Sequence, residues 1–332
     1  MNTNKLFFPL IGLLAGFYFV SCTTSTHKLP PAVGSAGEVL VVMSDHLWKG
    51  ACGDSVRQFL TEPVMGLPAP EPMFTLSQQR ELSSFMQKFR NILIVNVDPG
   101  YERANLKYRT NVYTNNQLIY NLDAPSADSV IACMYKNKDL ITAHFLVKGR
   151  DAIIEDYRKS VAKPVVEKVN EKFRVDILIP KPYLLNDEKE DFVWMIREEN
   201  EKYWGILIWE EPYVRTSQLE PDSLIAKMNA MTRKYVSGNL VGSYMADEPT
   251  VPPEVKRFEK NGVYCVQMNG LWQLENGFMG GPYVNHTIVD VNRGMIVTGL
   301  GFVFYPNRDK RQMVRQLEAI LYTMMPAETN NN

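Results

Sequence analysis

The pair Asp45-His46 has the residue types for acid-base catalysis and closely follows the apolar run 38–43. Strand ends often carry functional loops, so this pair is the best catalytic candidate on the chain. The alternative is a surface loop with Trp48 packed beneath it. No histidine on the chain has a second His or Cys at metal-ligand spacing. The sequence therefore predicts no metal site and no cofactor.

The glycine-rich stretch 276–286 leads into a strand pattern, and not into a helix N-terminus that could cradle a phosphate. Two interpretations remain open. The glycines can permit the positive φ angles of a tight turn. Alternatively, the stretch can shape the rim of a ligand pocket together with Trp272, Tyr283, Asn285 and His286.

Glu210 and Glu211 are further catalytic candidates, in an acidic stretch of the chain. A glycosidase needs two carboxylates about 5–10 Å apart across a cleft, with the pKa of one of them raised. The alternative is ordinary solvated surface charge. Nearby aromatic residues could stack on a sugar ring or belong to the core. They are Trp194, Tyr203, Trp204, Trp209, Tyr213 and Trp272.

Three Asp-Ser-Val/Leu triplets place Ser55, Ser129 and Ser223 at the start of helix-like patterns. The triplet is similar to the O-glycosylation acceptor pattern of exported proteins in some Gram-negative anaerobes. The same residue types also cap the unpaired N–H groups of a helix N-terminus. Both roles can hold together at a solvent-facing helix start.

The N-terminus has the plan of a secretory signal peptide, because a short charged start precedes the apolar run 6–20. That run is shorter than the roughly 20 residues that a membrane-spanning helix needs. Phe19-Val20-Ser21-Cys22 resembles the lipobox of bacterial lipoproteins, in which the cysteine receives a diacylglycerol. Two or more acyl chains hold a protein stably at a membrane. The alternative is a secreted protein whose Cys22 is incidental.

Residues 23–28 contain no acidic side chain. Surface-exported lipoproteins of this envelope type tend to be acidic just after the cysteine. We therefore expect attachment to the outer membrane, facing the periplasm. The formal net charge of −1 and the absence of a basic block give no electrostatic footprint for nucleic acid, so no such partner is expected.

The three cysteines after Cys22 are far apart in the sequence and allow at most one disulfide. We expect Cys133 and Cys265 to be buried free thiols. Cys52 stands in a glycine-flanked stretch and is the thiol expected to be exposed.

Four kinds of segment recur in the same order, which favours an internal duplication. They are a short apolar strand, a Phe-to-Arg-Glu segment, an Ile-Leu-Ile strand and an Asp-Ser helix start. The first copy has an added hairpin at 110–123. The matched segments are 38–43 with 175–180, 74–81 with 192–198, 91–101 with 205–213, and 128–134 with 222–228.

The predicted fold class is α+β, with two related halves, each a mostly antiparallel sheet with helices packed on one face. The run 203–209 is apolar on both faces, which predicts a central strand. The run 283–291 forms a predicted hairpin with 294–305, and a helix follows at 309–324. The predicted divisions are a lipoprotein signal peptide 1–21, a lipidated tether 22–35, halves 36–170 and 171–326, and a disordered tail 327–332.

Cys22 and three further stretches carry a family resemblance: GEVLVVMSDHLW at 37–48, FRNILIV at 89–95 and GGPYVNHTIVDVNRGMIVTGLGFVFYP at 280–306. Together they resemble a family of Gram-negative envelope lipoproteins known as domain of unknown function 4837. The resemblance spans nearly the whole chain after Cys22 and implies export and anchoring. It implies no activity and no site residues.

The sequence thus predicts a lipid-anchored envelope protein that acts as a binding or assembly module. Its predicted partners are the lipid bilayer, through the acylated N-terminus, and an envelope protein or glycan. The alternative is an envelope hydrolase or carbohydrate-binding protein that uses a cleft between the halves. The candidate catalytic residues for that alternative are His46, His286 and the acids near Glu210.

Overall fold

The computed structural model describes residues 29–328, and Cys22 lies outside that range. Between residues 29 and 328 no helix combines the length and the apolar character that crossing a membrane requires. Two halves follow each other along this range, each built around its own sheet. The predicted α+β fold with two halves is confirmed.

The first half has a five-stranded sheet in which most neighbouring strands are parallel, and not antiparallel as predicted. Its elements are β1 (Glu38–Val42), α1 (Asp45–Lys49), α2 (Ala51–Leu60), β2 (Thr75–Gln79), β3 (Asn91–Val97), β4 (Asn105–Thr110), β5 (Leu118–Ala124) and α3 (Ala127–Tyr157). The strand order is β2-β1-β3-β5-β4, and only the predicted hairpin β4–β5 is antiparallel. The reason is that helices α1 and α2 connect β1 to β2, as a parallel crossover requires.

Helices cover one face of this sheet, as predicted. Val39 and Val41 of β1 point into a core that contains α2 and α3. Leu40 and Val42 point to the opposite face, where the loop residues Leu82 and Phe89 cover them. The near-continuous apolar run of β1 follows from this burial on both faces.

The second half has a larger sheet that is antiparallel throughout. Its elements are α4 (Lys163–Phe173), β6 (Val175–Asp176), β7 (Leu184–Lys189), β8 (Phe192–Glu199), β9 (Lys202–Pro212), α5 (Pro221–Tyr235), β10 (Tyr244–Asp247), β11 (Glu254–Lys260), β12 (Val263–Glu275), β13 (Gly280–Asp290), β14 (Met295–Phe304), α6 (Arg311–Tyr322) and β15 (Met325–Pro326). The order is β10-β12-β13-β14-β9-β8-β7, with β11 also paired to β12. We call this the large sheet.

Helices lie on both faces of the large sheet, which corrects the prediction of one covered face for this half. Helices α4 and α6 pack with Ile206 and Ile208 of β9. Helix α5 packs on the other face with Leu207 and Trp209. The predicted central strand at 203–209 is thereby confirmed, and a strand that is apolar on both faces needs cover on both.

The predicted C-terminal hairpin and helix are present as β13, β14 and α6. The glycine-rich stretch is the turn between β12 and β13, but its glycines do not have positive φ angles. Asn276 has the left-handed conformation there, with φ of 56°. Gly281 instead permits close approach, because a Cβ at this position would collide with the carbonyl oxygen of Val303.

The strand orders of the two halves differ, so the predicted duplication is not seen. Strand β1 lies between β2 and β3, whereas its proposed counterpart β6 pairs with β15 outside the large sheet. The counterparts of β2 and β3, β8 and β9, are direct antiparallel neighbours. Short apolar runs occur in any buried strand, which explains the similarity of the segments.

Cys52, Cys133 and Cys265 are free thiols in the structure. Cys265 is buried, as predicted, while Cys133 is half-buried. Cys52 was expected to be exposed but is buried, because the glycine-flanked stretch forms helix α2 and its apolar face turns Cys52 into the core.

Helix α6 joins the two halves. Its apolar face packs on the large sheet through residues such as Leu317 and Leu321. The buried carboxylate of Glu71, from the first half, accepts hydrogen bonds from the backbone N–H groups of Lys310 (2.7 Å) and Arg311 (2.9 Å). Glu71 therefore caps the otherwise unpaired N-terminus of α6 from the other half of the molecule.

Substituting Glu71→Gln is expected to lower the free energy of unfolding by about 1–3 kcal/mol, because a neutral amide replaces the charged acceptor of two buried N–H groups. Urea unfolding measures the change. Glu102→Gln is the matched control, since Glu102 is exposed. Equal stability of the two variants would contradict the capping role of Glu71.

Candidate ligand-binding cleft

A cavity of about 540 Å³ lies between the two halves. Helix α3 and the residues just after α2 form one wall. Strands β11 and β12 with helix α6 form the other. Apolar side chains, including Val64, Leu146 and Val314, line part of it. We call this cavity the cleft.

Three arginines reach the cleft from both sides. Arg150 comes from α3, and Arg311 and Arg315 come from successive turns of α6. In residues 29–328, none of the three has a carboxylate within ion-pair distance. The Nε atoms of Arg150 and Arg311 are buried and have no hydrogen-bond acceptor.

The two α6 arginines also hold the halves together through neutral acceptors. Arg311 donates to the carbonyl oxygen of Pro72 and, at 3.0 Å, to Thr75 Oγ1. Arg315 donates to the carbonyl oxygen of Met73. These hydrogen bonds orient the guanidinium groups without forming an ion pair, and the charges of Glu71, Asp309 and Glu318 act on them from beyond ion-pair distance.

The carboxylates in the cleft wall already have partners. Lysines pair with two of them, whereas neutral amides bind the third, Glu318, whose negative charge still acts on Arg315. The pairs are Glu62 with Lys138 (3.5 Å), Glu254 with Lys256 (3.2 Å) and Glu318 with Asn269 Nδ2 (2.6 Å).

A lysine adds a further positive charge beside the cleft. Lys260 Nζ donates to the backbone oxygen of Tyr322 and lies 4.4 Å from the centroid of that ring. The Arg150 guanidinium lies 3.4 Å from the same centroid. Burial lowers the pKa of Lys260 to about 8, against the opposing effect of Cys265, and Arg150 lowers it further.

His286 is fully buried on the α6 face of the large sheet, close to these cations. Its ring centroid lies 5.9 Å from that of Phe258, and neither ring nitrogen has a hydrogen-bond partner. Burial lowers the pKa of His286 to about 3, and the charges of Lys260 and Arg150 add to the shift. The imidazole is therefore neutral at neutral pH.

This arrangement suits an anion. A guanidinium presents a planar set of donors that matches the oxygens of a phosphate or carboxylate. Partial burial strengthens the attraction, because a low dielectric screens charges less than water does. The apolar part of the wall can hold a nonpolar portion of the same ligand. In residues 29–328, no three metal-ligating side chains form a cluster.

Asp45 and His46 lie in the first half and do not line the cleft. They belong to the short helix α1, which Ser44 caps, and not to a loop. His46 is exposed. A hydrogen bond with Arg80 lowers the pKa of Asp45, so this carboxylate is a weakened base.

The structure separates the two glutamates. They are neighbours on β9, so their side chains point to opposite faces of the large sheet. Glu210 pairs with Arg293 at 3.0 Å, and Glu211 pairs with Lys227 at 3.4 Å. Neither residue lines the cleft. Paired-carboxylate chemistry across one cleft therefore has no geometric basis at these positions.

The predicted pocket rim is divided between two faces. Trp272 and Tyr283 belong to the core beneath α5, and Asn285 shares their side of β13, whereas His286 faces α6. Trp272 Nε1 donates to the carbonyl oxygen of Val303 at 3.1 Å. Tyr283 donates to Asp247 Oδ1 at 2.7 Å. The polar groups of Trp272 and Tyr283 therefore form hydrogen bonds within the fold.

None of the three predicted serines is a helix cap. Ser55 donates to the carbonyl oxygen of Ala51 inside α2. Ser129 follows the actual cap of α3, Ser126, whose hydroxyl accepts from the Ser129 N–H. Ser223 is exposed in the first turn of α5. Their glycosylation stays a prediction.

Sequence reasoning missed the cations of the cleft. One signal was available: Arg311, Arg315, Glu318 and Tyr322 recur at helical spacing on the polar side of α6. A charged stripe on an amphipathic helix usually faces solvent. Only the docking of the first half turns this stripe into the wall of a cleft.

Substituting His286→Gln is expected to flatten the dependence of stability on pH. In the native protein the pKa of about 3 lies below the ordinary value of 6.5, so the unfolded chain binds the proton first. Stability should therefore fall as the pH drops from about 6.5 towards 3, by up to about 1.4 kcal/mol per pH unit. Urea unfolding at pH 7, 5 and 4 measures this.

His46→Gln is the matched control, because it removes one histidine from the exposed surface. Identical slopes for the wild type and His286→Gln would show that His286 is not held neutral in the folded state.

The whole chain has only weak similarity to proteins of known structure. No curated protein matches it. The solved structure of a point mutant of the protein Mog1 is similar at 9% identity and a TM-score of 0.31, covering 47% of this chain and 92% of that one. LpqN of Mycobacterium tuberculosis, described as involved in cell envelope biogenesis, is similar at 12% identity and a TM-score of 0.28, covering 46% and 83%. These TM-scores support no conclusion about this chain.

Two family models match consecutive parts of the chain. Residues 32–158 match a domain of unknown function, DUF8532. Residues 162–323 match the domain of unknown function DUF4837. The stretches 37–48 and 89–95, which were predicted to carry the same resemblance, thus fall under a different model. The predicted resemblance to DUF4837 is confirmed for the second half, over residues 162–323.

Proposed function

We propose that this protein is a lipid-anchored binding module of the cell envelope, and that its cleft holds an anionic ligand. One observation carries the binding role: Arg150, Arg311 and Arg315 converge on a partly apolar cavity with no ion-pair partner among residues 29–328. A buried charge without an ion-pair partner lowers the stability of the protein. An anion bound in the cleft would pair with these charges and raise the stability again.

The anchor rests on the N-terminal pattern. Cys22 follows a short apolar run at the place where a lipoprotein is acylated, and a polar segment leads from it to the folded part. We place the anchored protein at the outer membrane, facing the periplasm. In this setting an envelope component that carries phosphate or carboxylate groups is the class of ligand that the cleft fits.

Phosphate is expected to stabilise the wild-type protein, and Arg150→Gln should weaken phosphate affinity by about 10–100-fold, the effect of losing one charge-assisted hydrogen bond. Thermal unfolding with increasing phosphate at pH 7 and constant ionic strength measures the affinity. At that pH Lys260 carries its proton, since its pKa is about 8.

Arg233→Gln is the matched control, because Arg233 also stacks on a tyrosine ring, that of Tyr244 at 5.0 Å, but lies on α5 away from the cleft. Phosphate stabilisation that survives Arg150→Gln, or that Arg233→Gln removes equally, would contradict anion binding in the cleft.

The anchor has its own test. Cys22→Ala is expected to abolish incorporation of labelled fatty acid and to leave the signal peptide uncleaved, because the thiol that receives the diacylglycerol is missing. Labelling of cells followed by gel analysis measures both. A Cys22→Ala protein that still carries labelled lipid would disprove the anchor while leaving the cleft proposal intact.

A further inference from the structure

A second cavity, of about 350 Å³, lies on the α5 face of the large sheet. It sits at the end of the sheet where β8 turns into β9 and β12 turns into β13. Aromatic side chains from four strands line it: Trp194, Tyr203, Trp272, Phe302 and Phe304. We call it the aromatic groove.

The aromatic groove is a continuous apolar surface. The ring centroids of Tyr203 and Phe302 are 5.8 Å apart, and those of Trp272 and Phe302 are 5.5 Å apart. Trp194 and Phe304 are half-buried, so they remain accessible. A ligand here meets mainly aromatic rings, with Ser237 and Asn239 also in the lining.

Two loops beside the aromatic groove end in exposed apolar side chains. Val241 is fully exposed, Leu240 is 46% exposed, and Phe278 in the β12–β13 turn is 98% exposed. Both loops pack against Leu274, a groove residue, because a Cβ at Gly238 or Gly277 would lie within 3 Å of its side chain. We call Leu240, Val241 and Phe278 the apolar tips.

These features favour a lipid over a sugar. A sugar stacks on aromatic rings but needs polar partners for its hydroxyl groups at the rim. The tips offer only apolar surface, which is costly to leave in water. Tryptophan rings suit the boundary between water and hydrocarbon.

The start of the folded chain lies by the face of the large sheet that α4 and α6 cover, opposite the aromatic groove. Pro31 and Tyr157 line one shallow cavity. Burial raises the pKa of Tyr157 to about 12, and the adjacent Arg197 guanidinium opposes that rise. Arg197 lies two residues before the end of β8 and stacks on Trp204, whose ring faces the α4 and α6 core, so the chain start and the groove share the β8–β9 end of the sheet but not its face. From Pro31 back to Cys22 the chain can span at most about 30 Å.

We propose that the apolar tips insert into the surface of a lipid bilayer and that the aromatic groove accommodates the apolar part of a lipid there. The bilayer in question is the one that the acylated Cys22 would occupy, so the choice of membrane rests on the proposed anchor. Insertion at the tips makes a second membrane contact, which orients the protein on its tether. It needs no acyl group and is testable without one.

The test uses a chain that begins at residue 23, which lacks Cys22 but keeps every described residue. Sedimentation with neutral phosphatidylcholine vesicles measures the partition coefficient. Val241→Ser with Phe278→Ser is expected to lower that coefficient at least about tenfold, since two apolar side chains no longer enter the lipid. Brominated acyl chains should quench tryptophan fluorescence of the wild type, because Trp194 lies in the groove.

The matched control is Val214→Ser with Val291→Ser. Both valines are exposed, at 79% and 75%, and they follow β9 and β13 at the opposite end of the large sheet. This double variant should bind vesicles within about twofold of the wild type. Raising the salt concentration should change the binding little, since the contact is apolar.

Three results would overturn the proposal. The wild-type chain from residue 23 could fail to bind vesicles, or the two double variants could bind equally well. The third is self-association without vesicle binding, lost only when the tips are changed, which would make the surface an interface between two copies. None of these bears on acylation, which the Cys22→Ala experiment tests separately.

Discussion

The buried carboxylate of Glu71 at the N-terminus of α6 is the contact on which the arrangement of the two halves depends. The carboxylate accepts hydrogen bonds from two backbone N–H groups of α6, which places the first turn of this helix against the segment before β2. The apolar face of α6 is committed to the large sheet at the same time. Helix α6 thus contacts the first half at its N-terminus and the large sheet along its apolar face. These contacts fix the position of one sheet relative to the other, and the cleft is the space left between them.

The same docking explains the electrostatics of the cleft. The side chains of Arg311 and Arg315 donate to carbonyl and hydroxyl acceptors of the first half, and among residues 29–328 neither forms an ion pair with a carboxylate. Burial lowers the pKa of Arg315 to about 10; the charge of Arg311 adds to the shift, and the charge of Glu318 opposes it. His286 is held neutral mainly by its burial, and the charges of Lys260 and Arg150 add to that effect.

Local patterns were reliable where burial acts on a single element. The apolar runs of β1, β3 and β9 gave strands, and the periodicity of 309–324 gave helix α6. Sequence patterns gave wrong predictions where residues distant in the sequence determine the environment of a side chain. Glu210 and Glu211 are adjacent in the sequence but serve opposite faces, and Cys52 is buried because its stretch is helical. Parallel pairing of β1 with β2 and β3 was missed because hydrophobic patterns do not specify strand direction.

By itself, the sequence determined the α+β class, two halves, the central position of 203–209 and the C-terminal hairpin with its helix, because these depend on hydrophobic periodicity within short windows. The stretch 280–306, which carries the DUF4837 resemblance in the second half, is this same C-terminal hairpin. The tertiary structure alone decided which charges meet. Arg150 and Arg315 are 165 positions apart in the sequence, and only the docking of α6 brings them to one cleft. The loops that carry Val241 and Phe278 likewise pack against one residue, Leu274, because contacts between distant residues are set by packing and not by sequence spacing.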